Sequence, residues 1–146
     1  PPQALVLDGG TLGLSLLPLL RDAEAIILLD AVNAPLPPGS LLHIEGRDVV
    51  VAAEERLSCH QVGVADLLNG MRLLDGDIRK LVLLGVVPSH TGLGAQLTEP
   101  VRAALQPLVE AAIAQADDLG VAFELRAGDQ LFTTTEGPFV AHYSDP

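Results

Sequence analysis

Three short runs of aliphatic residues constrain this chain more than anything else in it: ALVL at Ala4–Leu7, AIILL at Ala25–Leu29 and KLVLLGVV at Lys80–Val87. Each is uninterrupted rather than alternating, and each is too short for a helix. Strands with both faces covered by helices have this pattern, whereas a strand with one wet face alternates. The first two runs end in an aspartate, Asp8 and Asp30, and the third stops at Pro88. Parallel strands need long crossovers, and the intervening segments are long enough to provide them. TLGLSLLPLLRDAE reads as a crossover helix with Pro18 in its first turn or at a kink.

Between the second and third runs, APLPPGS forms a stiff turn ahead of LLHIE at Leu41–Glu45, an edge strand of either direction. The next stretch, GRDVVVAAEER, carries no clear period and reads as loop or short turn. From Gln61 to Leu74, Val64, Leu67, Leu68, Met71 and Leu74 recur at intervals of three and four, which marks an amphipathic helix with Ser58 as a plausible N-cap. Thr98, Glu99 and Pro100 start another helix, with Val101, Leu105, Leu108 and Ala112 on one face, a kink expected at Pro107 and an end at Gly120. The alternation of elements predicts a three-layer α/β/α sandwich with a mixed, mostly parallel sheet. It gives one α/β domain over residues 1–120 and a C-terminal extension over 121–146. In the extension FEL and QLFTTT could pair around RAGD, ahead of a weakly ordered tail.

A length of 146 residues is enough for one domain with a real core. The formal charge of −11 offers no basic face to phosphates, so nucleic acid and anionic membrane are poor partners. One cysteine cannot form an internal disulfide, and PPQALVLDGG has no secretory signal, so the expected location is the cytoplasm. No apolar run approaches the roughly 18 residues that span a bilayer.

The chemistry has few candidate carriers. Asp30, at the end of a buried strand, would emerge at the carboxyl edge of the sheet, where such folds bind ligands. It could equally cap a turn. His60 would stand in a helix's first turn, where the dipole keeps an imidazole neutral and able to bind a metal, or where the ring simply packs. Its neighbour Cys59 invites a thiol-protease reading, but adjacent helical residues point about 100° apart, so thiol and imidazole diverge. Asp8, Gly9, Gly10 and Thr11 form a tight turn that half-resembles a phosphate loop; without the lysine or a third glycine, a nucleotide site is a weak reading. His43, His90 and His142 stand alone, and Glu54 with Glu55 reads as a solvated face.

Taken in order, DGGTLGLSLLPLL, AIILLDAV, PPGS, LSCHQVGVADLL, LVLLGVVP and LTEPVRAALQPLVEAAI resemble the hydrogenase maturation endopeptidases from Asp8 to about Gly120. The resemblance implies a phosphorylase/hydrolase-like fold and an aspartic-type, metal-dependent endopeptidase. Such an enzyme trims a C-terminal extension from the nickel-loaded precursor of the nickel-iron hydrogenase large subunit. By resemblance, Asp30 and His60 are the metal-contacting and catalytic pair, and Asp8, Gly9, Gly10 and Thr11 bind the substrate. Nickel would arrive with the precursor, and zinc or cadmium could take its place.

The family's third ligand, a glutamate, follows its first strand in a glycine-rich motif without a counterpart here. In the family fold that strand lies between the second and third. Without it two strand edges would lose their backbone partners, at roughly 1–3 kcal/mol for each unsatisfied group. The expectation is therefore a chain that is part of a longer folded protein, or one whose slot is filled by a partner or swapped strand. A divergent member that binds the large subunit without cutting it is the alternative.

Overall fold

The structure is a computed structural model that describes residues 4–10, 13–55, 62–73, 80–90 and 96–123. Three strands form its sheet: β1 (Ala25–Ala31), β2 (Leu41–Glu45) and β3 (Lys80–Val86), in the order β1-β3-β2. β1 and β3 run parallel, from Ala25 beside Lys80 to Ala31 beside Val86. β2 is the antiparallel edge, with Leu41 beside Val86 and Glu45 beside Val82. The sheet is mixed, as expected.

Helices lie on both faces. A 3-10 turn, Gly13–Leu16, leads into α1 (Leu17–Leu20); α2 spans Arg47–Glu55, α3 Val62–Leu73 and α4 Glu99–Asp118. One face carries the main core, in which Val49, Ala52 and Ala53 of α2 and Leu67, Leu68 and Met71 of α3 pack on Ile26, Leu81 and Leu83. Alternation sends Val82, Leu84 and Val86 to the other face, which α4 covers.

α3 and α4 form where their periodicity places them. α4 begins after Thr98, takes Pro100 in its first turn and continues through Pro107. Its buried residues Ala104, Gln115 and Ala116 extend the expected stripe. Thr98 makes no side-chain cap; its hydroxyl pairs with that of Ser89 at 2.9 Å instead.

Three expectations are corrected. Residues 47–55 form a helix rather than a loop, because Val49, Ala52 and Ala53 recur at three and four and are buried. That burial outweighs the weak helix preference of three consecutive valines. The crossover helix is a single α-turn after its 3-10 start, with Pro18 in the first turn. Finally, Ala4–Leu7 is not a strand: Leu5 is 54% and Val6 57% exposed. An apolar run becomes a strand only beside a partner that takes its N–H and C=O groups, and no described backbone hydrogen bond involves residues 4–7. β1 is an edge strand of the described sheet.

The turn before β2 is held to α4. Gly39 has φ 85°, and a Cβ there would lie 2.6 Å from the Pro100 carbonyl oxygen, so the position excludes a side chain on both counts. Its N–H donates to the Val87 carbonyl at 2.8 Å, and Val87 N–H to that of Ser40 at 3.0 Å.

The expected pairing around RAGD and the tail lie outside the described residues. Among the described residues no helix is long and apolar enough to cross a membrane.

Candidate functional site

Asp30 stands at the second-last position of β1, half-buried at the carboxyl rim shared by the two parallel strands. Its Oδ1 accepts a hydrogen bond of 2.7 Å from the Ala31 N–H. Level with it on β3 is Gly85. The chain beyond turns inward: Val32 N–H donates to the Val86 carbonyl at 3.0 Å, and the Val32 side chain is fully buried. A half-buried carboxylate thus sits two residues before a fully buried valine. A carboxylate oxygen is a donor type that nickel or zinc accepts.

His60, Cys59, Ser58 and Thr11 lie outside the described residues. Of the expected substrate turn, Asp8, Gly9 and Gly10 are described. Asp8 Oδ1 accepts from the Gly10 N–H at 3.0 Å, closing an Asx turn, and Gly10 takes φ 43°. The turn feeds the 3-10 segment, which packs on α3: a Cβ added to Gly70 would meet Leu14 Cδ2 at 3.0 Å. Among the described residues no group of three histidine, cysteine, aspartate or glutamate side chains could hold a metal ion.

A second cluster lies on the other side of the sheet. His43 Nε2 is 3.1 Å and Lys80 Nζ 2.9 Å from the two carboxylate oxygens of Glu45. The hydrogen bond from Lys80 holds the Glu45 carboxyl below its ordinary range, with the positive charge of Lys80 and the nearby His43 acting in the same direction. This is a cross-strand ion pair in water, of structural kind. A cavity of about 280 Å³ beneath α4, lined by Leu41, His43, Leu84, Leu108 and Gln115 among others, does not reach Asp30.

Val32 and Gly85 are the residues near Asp30 that sequence reasoning missed. The glycine inside an otherwise branched and aliphatic run was the available signal, since such a glycine marks a close approach of another part of the chain.

Residues 1–115 match the hydrogenase maturation protease family, HycI. Among individual relatives, the hydrogenase expression/formation protein HupM of Azotobacter chroococcum is 35% identical over 131 residues, which are 88% of this chain and 63% of that protein. The hydrogenase 2 maturation protease of Escherichia coli is 32% identical over 83% of this chain and 74% of its own length. In three dimensions the chain is similar to the hydrogenase maturating endopeptidase HybD of E. coli, with a TM-score of 0.75, 32% identity and coverage of 80% and 72% of the two chains. HybD of Thermococcus kodakarensis follows with a TM-score of 0.65 and 29% identity over 76% and 78%. The chain thus spans less than two thirds of HupM, the first of these relatives.

Proposed function

The chain belongs to the hydrogenase maturation protease family, and on that premise we propose that it provides the metal-contacting core of an endopeptidase for the nickel-loaded large-subunit precursor of a nickel-iron hydrogenase. The bond cut is the one that releases the precursor's C-terminal extension. The observation that carries the reading is the position of Asp30, a half-buried carboxylate at the carboxyl rim of two parallel strands.

The topology supports a role for His60 beside it. β2 ends at Glu45, level with Val82 near the start of β3, and Gly46 N–H bonds to the Leu81 carbonyl at 2.8 Å. α2 therefore begins near the amino rim of β3, and α3 precedes β3 at that same rim. Two packed helices that leave and return at one rim reverse direction toward the other, which directs the amino end of α3 to the side of Asp30. His60 is two residues ahead of Val62.

In this reading the precursor brings the nickel, and Asp30 and His60 recognise it by supplying a carboxylate and a neutral imidazole. A metal held by these two residues would supply Lewis-acid chemistry, polarising the scissile carbonyl or acidifying an attacking water. Asp8, Gly9, Gly10 and Thr11 accept the precursor close to its metal centre, and zinc or cadmium could occupy the same ligands. The reaction belongs in the cytoplasm, where nickel insertion precedes cleavage.

The test is processing of a purified nickel-loaded precursor, followed by the mass of its C-terminal fragment. Asp30→Ala and His60→Ala should each reduce cleavage to background while the fold persists. Wild-type rates in both variants would exclude the assignment. A protein that captures the precursor and leaves its tail intact would instead be a non-catalytic binder of the large subunit.

A further inference from the structure

Residues level with one another on adjacent strands project to the same face of a sheet. Asp30, Gly85 and Leu42 form such a row across β1, β3 and β2. The middle member has no side chain, and the space above it is taken by Val32. A Cβ on Gly85 would lie 2.5 Å from Val32 Cγ2, closer than packed atoms tolerate, and 3.1 Å from Val32 Cβ. Val32 is wholly buried there among residues of α2 and α3.

This packing governs the peptide next to Asp30. Alternate N–H groups of a strand point to opposite sides. The Val32 N–H is committed to β3, through the Val86 carbonyl at 3.0 Å, so the Ala31 N–H turns to the outer side of β1. That is the N–H which Asp30 Oδ1 accepts at 2.7 Å. We propose that Val32 and Gly85 are positioning residues for Asp30: the missing side chain at 85 admits Val32, which orients the Ala31 N–H and so sets the direction of the carboxylate. The functional consequence rests on the proposed role of Asp30 as a metal contact.

Gly85→Ala and Val32→Ala test this, with two readouts. The first is the amide proton shift of Ala31 by NMR, which reports its hydrogen bond without reference to activity. The second is precursor processing, resolved into kcat and KM. In folded Gly85→Ala, the Ala31 amide should lose its hydrogen-bonded shift and kcat should fall about tenfold or more, with KM for the precursor within about threefold, because orientation rather than docking is lost. Should Gly85→Ala not fold, Val32→Ala, which leaves room at the site, carries the same expectation. The double variant Val32→Ala/Gly85→Ala, in which the new methyl takes part of the vacated space, should recover toward the wild-type amide shift.

An unshifted Ala31 amide and wild-type kcat in a folded single variant would overturn the proposal. Asp30→Asn separates the two levels of argument. Wild-type processing in Asp30→Asn would remove the catalytic reading of Asp30, while the amide shifts would still decide whether Val32 and Gly85 orient its carboxylate.

Discussion

Leu81–Leu84 and Ala4–Leu7 are both unbroken aliphatic runs, yet Val82 and Leu83 are 0% and 1% exposed while Leu5 and Val6 are 54% and 57% exposed. β3 has a parallel neighbour on one side and an antiparallel one on the other, so its backbone groups are paired and its side chains meet helices on both faces. Residues 4–7 have no described backbone partner. Apolar character makes burial favourable, but a strand also needs a neighbour to satisfy its peptide groups, and that neighbour is a property of the assembled sheet.

The contrast predicts a graded set of responses. Leu83→Ala should cost about 2–5 kcal/mol in denaturant unfolding, because it empties a packed site at the centre of the sheet. A cost below about 1 kcal/mol would mean that β3 is no more embedded than the first run. Gly39→Ala should follow, at about 1–3 kcal/mol, since both its φ and the Pro100 carbonyl oppose a Cβ. A wild-type unfolding midpoint would show that the turn can move off α4.

Leu5→Ser and Val6→Ser should change stability by no more than about 0.5 kcal/mol, as is usual for exposed positions. A loss near that of Leu83→Ala would break the comparison by revealing that residues 4–7 are buried in the protein in solution. The smallest effect belongs where β3 meets water, at the Lys80–Glu45 bridge. The Glu45 carboxyl is held below its ordinary range, so the bridge contributes at neutral pH and its contribution is lost as pH falls through that lowered value. Lys80→Ala should raise the Glu45 titration midpoint seen by NMR; an unmoved midpoint would mean the ion pair does not form in solution.

Much of the architecture was legible in advance. β1 and β3 follow from runs bounded by turn residues, β2 from a short, partly polar segment after a proline-rich turn, and α3 and α4 from apolar positions three and four apart. α2 was hidden because Val49, Val50 and Val51 form a β-branched run whose local preference opposes the helix that burial of Val49, Ala52 and Ala53 enforces. Asp30 could be singled out because an aspartate ending a buried run must reach the sheet's rim. His60 was singled out by its place at a helix start and took its role from the resemblance; the match shows the family, and His60 itself lies outside the described residues.

Composition and periodicity by themselves determined the class of fold, two of its buried strands and the carboxylate that ends one of them, because burial and hydrogen bonding act on every few residues along the chain. Only the tertiary structure decided that residues 4–7 stay exposed, that residues 47–55 form a helix, and that Val32 rests on Gly85 beside Asp30. Each of those depends on a contact between segments far apart in sequence, and the free energy of such a contact is absent from either segment read alone.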